Sequence, residues 1–272
     1  MARGKAIGAA VTAALLAASG VWAAHDSIIS SFPTPAEYTE GLAYDGTQLY
    51  LASTSLPLVW RINPVTGSVI ASYTPAPLPL GVITGLAYQG GYLWLGVYSG
   101  AGATLCRANP TTGSVSASYN VPGVTICDGI AADANYLYVS NNFATNPRLF
   151  KFSPGAGSVV ASWTVYTKYP GGLDIITHVP TSTQVLLNVG NVDGWTYVYD
   201  LNGVYRSGEE FLIDAPCSTT HFVGDLATVD STHFYFSSDE MGYIYYESLD
   251  WYGQEFPGVA PTTFGKIKAL YR

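Results

Sequence analysis

One stretch of eleven residues occurs three times in this chain, at intervals of about 45 residues. The copies are NPVTGSVIASY at 63–73, NPTTGSVSASY at 109–119 and SPGAGSVVASW at 153–163. A second pattern begins with a glycine that recurs at a similar period. These head glycines are Gly41, Gly85, Gly129, Gly172 and Gly224. Such a period indicates a fold assembled from equivalent units, because each unit buries its apolar faces only against its neighbours.

Each unit is predicted to form four short β-strands separated by tight turns. In the first unit GLAY, QLYLAS, LVWRI and SVIASY are rich in aromatic and β-branched residues, which favour strands. Pro64 ends the third strand because it cannot donate to a sheet ladder. Four antiparallel strands in about 44 residues indicate a β-propeller blade. We therefore predict an all-β propeller of five four-stranded antiparallel blades, with six blades as the alternative.

The two ends of the chain bear on how the ring closes. DSIISSFP at 26–33 matches GSVIASYT at 67–74 position for position, so it is predicted to be an outer strand with no blade before it. We expect this strand to close the ring by completing the last blade. FGKIKALYR at 264–272 is predicted to be a spare inner strand. It either begins a degenerate sixth blade or adds to a sheet of another subunit.

Residues 1–24 have the features of an export signal. Arg3 and Lys5 precede an alanine-rich apolar run, and Val21 and Ala23 fit the −3 and −1 positions of a cleavage site. One alternative is a retained N-terminal hydrophobic helix, although its many alanines would make it a weak membrane span. The other is a pilin-like leader. We predict a secreted or cell-surface protein with a single propeller domain at 26–272 and no transmembrane span after signal removal.

Composition narrows the expected partners and cysteine chemistry. The net charge is −8, and no basic cluster follows Lys5. Nucleic acid is therefore not an expected partner, because phosphate binding requires clustered Lys and Arg. Three cysteines, Cys106, Cys127 and Cys217, allow one disulfide in an exported protein. We predict a Cys106–Cys127 bridge between neighbouring repeats, with three buried free thiols as the alternative.

The first blade resembles the inner-strand signature of the glutaminyl cyclase propellers of plant and bacterial type. EGLAYDG at 40–46 carries this resemblance, LYLAST at 49–54 is similar to the family's second strand, and RINPVTGSVI at 61–70 is similar to its third strand and turn. GIAADANYLYVSN and VYDLNGVY more loosely resemble the NHL-type propellers. The resemblance covers nearly all of the mature chain and implies a propeller fold. It also implies that an activity, if present, would be the cyclisation of an N-terminal glutamine of a substrate at the mouth of the central channel.

One position departs from the cyclase pattern. The resemblance implies a glutamate in the second strand, but this chain has Ala52 there, followed by Ser53, Thr54 and Ser55. Cyclisation of glutamine needs an acid–base group near the amide. Without that carboxylate the chain is expected to be non-catalytic unless Glu40 replaces it.

The polar residues beside the head glycines are the candidate site residues, because inner strands of a propeller begin at the mouth of its central channel. They are Glu40, Thr84, Asp128 and Asp225. Glu40 and Asp128 fall on non-adjacent blades, where their oxygens and backbone carbonyls would suit a structural Ca²⁺ or an acid–base pair. The alternative is that these residues cap turns and bond to neighbouring backbone amides.

Other residues with chemical potential are sparse. His178, His221 and His233 show no metal-ligand spacing, and no nucleophile elbow or phosphate-binding loop occurs. The stretch YIYYESLDWYGQEF at 243–256 is unusually aromatic, which predicts a contact patch for sugar or protein, with packing between blades as the alternative. The predicted patch comprises Tyr243, Tyr245, Tyr246, Trp251 and Tyr252.

Together these features predict an exported, non-catalytic β-propeller that acts as an extracellular or cell-surface binding or structural module. Its expected partners are a protein or glycan at the cell surface, or further copies of itself, and no cofactor beyond a channel Ca²⁺ is expected. One alternative is a glutaminyl-cyclase-like enzyme acting at the channel mouth. Another is a subunit of an extracellular filament or surface layer, assembled through the N-terminal segment or a spare strand.

Overall fold

The computed structural model describes residues 26–142, 147–190, 194–213, 223–238 and 242–249, and the secondary structure in these ranges is all β, without helix. No helix able to cross a membrane occurs among these residues. The strands are β1 Asp26–Pro33, β2 Thr39–Tyr44, β3 Leu49–Ser53, β4 Leu56–Ile62, β5 Val69–Tyr73, β6 Val82–Gln89, β7 Tyr92–Tyr98, β8 Ala103–Ala108, β9 Val115–Asn120, β10 Cys127–Ala132, β11 Leu137–Asn141, β12 Arg148–Ser153, β13 Ser158–Thr164, β14 Pro170–His178, β15 Thr183–Gly190, β16 Trp195–Asp200, β17 Phe211–Leu212, β18 Val223–Thr228, β19 His233–Ser238 and β20 Tyr243–Leu249.

The strands form five four-stranded antiparallel sheets. Blade 1 is β2–β5, blade 2 is β6–β9, blade 3 is β10–β13 and blade 4 is β14–β17, each in chain order from the inside outward. Blade 5 has the order β18, β19, β20, β1. The inner strands contact one another in sequence around the axis, and β18 meets β2. The predicted five-bladed propeller is confirmed.

The first strand of the chain closes the ring. β1 pairs antiparallel with β20, from Asp26 opposite Leu249 to Pro33 opposite Tyr243. The sequence-based prediction that residues 26–33 complete the last blade is therefore confirmed, and the described residues need no sixth blade. The predicted spare strand at 264–272 and the N-terminal segment 1–24 lie outside the described residues.

The core consists of apolar layers between the faces of adjacent blades. The layer between blades 1 and 2, for example, contains Tyr50, Ala52, Leu86, Leu95 and Cys106, all of which are buried. Blade packing of this kind buries both faces of each sheet, which explains why consecutive residues within the second strands are apolar.

The head glycines bring the inner strands together. A Cβ built on Gly129 would lie 2.5 Å from the backbone nitrogen of Leu173 in the next blade. Gly41 approaches Leu86 in the same way, and Gly224 approaches Ser237 and the backbone of β2. A side chain at these positions would push neighbouring blades apart, so the repeated glycine is required by the narrow centre of a five-bladed ring.

The outer repeat links each blade to the next one. The glycine of its turn lies against the aromatic ring that ends the preceding outer strand. These pairs are Gly67 with Phe32, Gly113 with Tyr73, Gly157 with Tyr119 and Gly203 with Trp163. The Tyr73 hydroxyl also donates to the Pro110 carbonyl at 3.0 Å, within the following turn. Each copy therefore receives a ring at one end and supplies one at the other.

The turns are stabilised by side chains that substitute for missing backbone partners. Asn63 Oδ1 accepts from the backbone N–H groups of Val65 and Thr66, at 2.9 and 3.0 Å. Gly67 follows with a φ of +69°, a conformation in which a side chain is strained. Asn109 and Gly113 repeat the arrangement in blade 2, so the Asn-Pro-x-Thr-Gly sequence is explained by turn geometry.

Candidate functional site

All four predicted channel residues lie in β-bulges. In all five blades the pairing register of the inner strand shifts beside its head glycine. In blades 1, 2, 3 and 5 one of the predicted channel residues lies within this shift. The four bulge residues are Glu40, Thr84, Asp128 and Asp225. A bulge removes backbone groups from the sheet ladder and re-aims side chains. The geometry of the site therefore depends on the hydrogen bonds that these side chains and the unpaired backbone groups form.

Asp225 joins three blades at the axis. Its Oδ2 accepts from the Leu42 amide of blade 1 at 3.0 Å, and its Oδ1 accepts from the Leu173 amide of blade 4 at 3.1 Å. The amide of Leu226 also donates to Oδ1, at 3.0 Å. The side chain is fully buried, and desolvation raises the pKa of its carboxyl well above the usual range. Asp225 is thus a structural link rather than an exposed carboxylate.

A second carboxyl, at Asp174, lies in the same region and was not singled out from the sequence. Its Oδ2 accepts from the backbone amide and the hydroxyl of Thr228 in blade 5, at 2.5 and 2.9 Å. Desolvation raises the pKa of Asp174 to about 6, although hydrogen bonds from Thr228 and Ile175 oppose the shift. Asp174 and Asp225 together connect blade 4 to blade 5 and blade 5 to blade 1.

Thr84 and Asp128 also make contacts between neighbouring strands. The Thr84 hydroxyl donates to the Cys127 carbonyl of blade 3, and Asp128 accepts from the side-chain amide of Asn142. Both residues are buried. These contacts agree with the alternative interpretation, in which the channel residues bond to neighbouring groups.

Glu40 differs from the other three because it is partly exposed. It lies where β2 meets β18, with its Cα 3.3 Å from a Cβ built on Gly224. Cα atoms of β2 and β10 approach within 8 Å of each other across the axis, so Glu40 and Asp128 lie on strands that face one channel. No group of three or more His, Cys, Asp or Glu suited to a metal ion occurs in the described ranges. The channel Ca²⁺ stays a prediction.

The position at which the cyclase resemblance implies a glutamate is closed to solvent. Ala52 is fully buried in the layer between blades 1 and 2, beside Val59 and Ile83. Its Cβ is 3.3 Å from a Cβ built on Gly41. Ala52 therefore supplies neither a carboxylate nor a solvent-accessible side chain to the channel.

The two described cysteines lie on opposite sides of blade 2. Cys106 faces the layer shared with blade 1, whereas Cys127 faces the layer shared with blade 3, against Gly96. The sheet between them prevents the predicted disulfide, and both residues are buried free thiols. Burial raises the pKa of each thiol, so neither has the exposed thiolate of a reactive cysteine. Cys217 lies outside the described residues.

The predicted aromatic patch is not a single exposed surface. Tyr245 is buried and stacks on Phe236 at 4.9 Å, and Tyr246 stacks on Tyr235 at 4.6 Å. Only Tyr243, at 39% exposure, is an exposed member among those described. β1 pairs with β20, so these residues do not lie at the edge of the sheet. Trp251 and Tyr252 lie outside the described residues.

A cluster around His178 was not recognised from the sequence. Its Nδ1 lies 2.8 Å from the Thr181 hydroxyl and its Nε2 lies 3.3 Å from Glu209. Arg206 pairs with the same Glu209 oxygen at 2.9 Å, and desolvation together with Arg206 lowers the pKa of His178. Because Arg206 already offsets the Glu209 charge, the cluster is best explained as a tie between the β14–β15 hairpin and the segment before β17.

No protein-family model and no curated protein matches the chain. Among solved structures, a glutaminyl cyclase from Myxococcus xanthus is similar, with a TM-score of 0.60 and 12% identity, over 83% of this chain and 97% of that one. The PQQ-bound form of an aldose sugar dehydrogenase from Streptomyces coelicolor is also similar, with a TM-score of 0.52 and 13% identity, over 82% and 97%. At these identities the likeness is one of fold: the chain is a five-bladed β-propeller that resembles glutaminyl cyclase.

Proposed function

We propose that this protein is an exported, non-catalytic β-propeller that acts as a binding or structural module at the cell surface. The observation that supports a non-catalytic role is the way Asp225 is used at the channel. Its two oxygens accept one backbone N–H from each adjoining blade, Oδ2 from Leu42 and Oδ1 from Leu173. A general acid or base needs an oxygen within reach of a substrate proton, and a fully buried link between blades does not offer one.

The proposal of export rests on the sequence of residues 1–24. N-terminal sequencing of the protein recovered from the medium or cell surface of expressing cells tests it. A chain that begins near Ala24 is the expected result, whereas an intact Met1 in an intracellular fraction contradicts export. Arrays of surface glycans and proteins, probed with the exported protein, then test binding.

A glutaminyl-cyclase-like activity is the second candidate, because the fold resembles that of the Myxococcus xanthus cyclase along nearly the whole length of that enzyme. Glu40 is the carboxylate left to act, since Ala52 replaces the family glutamate. Incubation with a peptide that begins with glutamine, followed by mass spectrometry for the loss of ammonia, tests this candidate. Turnover that disappears in Glu40→Gln would establish it; no turnover at high enzyme concentration would exclude it.

A surface assembly is the third candidate, and it is favoured by exposed apolar side chains on the outer strands. Ile29 on β1, Ile70 on β5 and Val160 on β13 are each about half exposed. Outer strands also leave unpaired edges that invite pairing with another chain. Native mass spectrometry distinguishes a monomer from a polymer, and Ile70→Lys is expected to weaken any polymer that uses this edge.

A further inference from the structure

The carbonyl of the second residue of the outer turn accepts a hydrogen bond from the preceding blade at three blade boundaries. The Pro64 carbonyl of blade 1 accepts from the Tyr235 hydroxyl of blade 5, at 3.2 Å. The Pro110 carbonyl of blade 2 accepts from Tyr73 of blade 1, at 3.0 Å. In blade 4 the Leu201 carbonyl accepts from Lys151 Nζ of blade 3, at 3.2 Å.

The boundary between blades 2 and 3 lacks this bond. Arg107 has the position in blade 2 that Lys151 has in blade 3, because Arg107 pairs with Trp94 and Lys151 pairs with Tyr138. Its guanidinium turns back to its own blade, where Nε donates to Ser116 at 3.1 Å. Among the described residues no group donates to the Pro154 carbonyl of blade 3.

A groove of about 540 Å³ lies at this boundary. Its lining includes Tyr92, Trp94 and Arg107 from blade 2 and Asn135 and Pro154 from blade 3. The Tyr92 side chain is 39% exposed, and the Arg107 guanidinium lies 4.6 Å from the centre of its ring. Small-molecule sites likewise combine aromatic walls with a few polar groups.

Arg107 is the charged residue among those that line the groove, and the Asp133 carboxylate beside it is occupied by the backbone amides of Asn135 and Tyr136. No described Asp or Glu forms an ion pair with Arg107, so its remaining N–H groups can bind an acid from outside the chain. A guanidinium binds a carboxylate through paired hydrogen bonds, which is its preferred geometry. The exposed Tyr92 ring offers an apolar face for the C–H groups of a sugar, while the Asn135 amide and the Pro154 carbonyl suit its hydroxyls.

We propose that this groove binds a carboxylated sugar, such as a uronic acid residue of a surface glycan, with Arg107 on the carboxylate. This inference deepens the proposed function, because it names a class of ligand. It rests on the proposed function in one respect, namely that the protein acts as a binding module. Arg107 bonds within its own blade, as Arg61 does in blade 1, whereas Lys151 reaches the next turn. The groove beside Arg107 lies at the boundary where the Pro154 carbonyl has no donor among the described residues.

Binding of D-glucuronate, D-glucose and acetate, measured by NMR titration, tests the site. Glucuronate is expected to bind, and Arg107→Gln to weaken it by about tenfold or more, because a hydrogen bond to a charged group is lost. Arg61→Gln is the matched control, since Arg61 has the same place in blade 1 but donates to Gln48 at 2.9 Å. A second variant, Gly155→Leu, places a side chain where a Cβ has no neighbour within 4 Å and is expected to block the groove without changing charge.

Several results would overturn the site: no glucuronate binding, equal binding of glucose or acetate, or equal loss in Arg107→Gln and Arg61→Gln. These outcomes are separate from failure of the proposed function. A protein that binds cell-surface glycans or proteins equally well with or without Arg107→Gln keeps the proposed function and loses this site. A protein that is not exported but binds glucuronate through Arg107 keeps the site and loses the surface role.

Discussion

The indole of Trp163 lies directly against Gly203 of the next blade, so that a Cβ on the glycine would be 2.5 Å from Cγ of the ring. The same relation joins Phe32 to Gly67 and Tyr73 to Gly113. It explains why a glycine and an aromatic residue recur within one short repeat. They are the two halves of a contact between blades, and each copy supplies one half to each neighbour.

The ring-on-glycine contact predicts unequal effects of two similar substitutions. Gly113 and Gly157 both have positive φ, +72° and +64°, so alanine strains either turn by about 1 kcal/mol. A Cβ at 113 would also lie 2.9 Å from Cε2 of Tyr73, whereas a Cβ at 157 would be 3.7 Å from Tyr119. We expect Gly113→Ala to lower the free energy of unfolding by about 1–3 kcal/mol more than Gly157→Ala. Equal losses in urea unfolding would contradict the contact.

Ring closure by β1 predicts a large effect at its buried aromatic residue. Phe32 is 7% exposed and packs with Trp60 and Tyr235 across the junction of blades 5 and 1. Truncation to alanine is expected to cost about 3–5 kcal/mol. Ile29→Ala on the same strand is the control, because its exposed side chain predicts a change within about 0.5 kcal/mol. Thermal or urea unfolding compares the two, and similar losses would argue against closure by this strand.

The sequence predicted the blades, their number and the closing strand, because turn chemistry and a fixed period are local signals. It did not predict which polar residues would be buried. Asp128 and Asp225 both lie next to a head glycine in the sequence. Only the structure shows that Asp225 accepts hydrogen bonds from backbone amides of both adjoining blades. The cysteine prediction was wrong for a related reason: proximity in repeats does not tell which face of blade 2 each sulfur occupies. Contacts between blades depend on register and face, which a single sequence does not specify.

Asp174 predicts the direction of a pH effect. Its native pKa is about 6 against an ordinary value of 3.8, so the folded chain holds a proton that the unfolded chain releases between those values. Its contribution to stability is therefore greatest below about pH 4, falls as pH rises to about 6, and is constant above. Buried Asp225 acts in the same direction. Urea midpoints across this range should fall with rising pH and vary less in Asp174→Asn.

Asp45 provides the control for that pH profile. Hydrogen bonds from Thr47, Gln48 and Tyr50 hold the pKa of its carboxyl below the ordinary value despite partial burial. Its contribution is therefore present above the unfolded pKa and lost as pH falls through the lower folded value. Asp45→Asn should change the profile only at the acid end, whereas a flat profile in the wild type would contradict the role given to Asp174.

Asp225 is expected to be the most sensitive polar residue of the channel. Replacement by alanine leaves the amides of Leu42, Leu173 and Leu226 without the carboxyl oxygens that accept from them. Each buried unsatisfied group costs about 1–3 kcal/mol, so Asp225→Ala should destabilise the fold by about 3 kcal/mol or more. Asp230→Ala, which removes a carboxylate from an exposed turn, should cost about 1 kcal/mol. Hydrogen exchange of the Leu42 and Leu173 amides should accelerate in Asp225→Ala and not in Asp230→Ala; unchanged protection would show that other groups hold the three blades together at the axis.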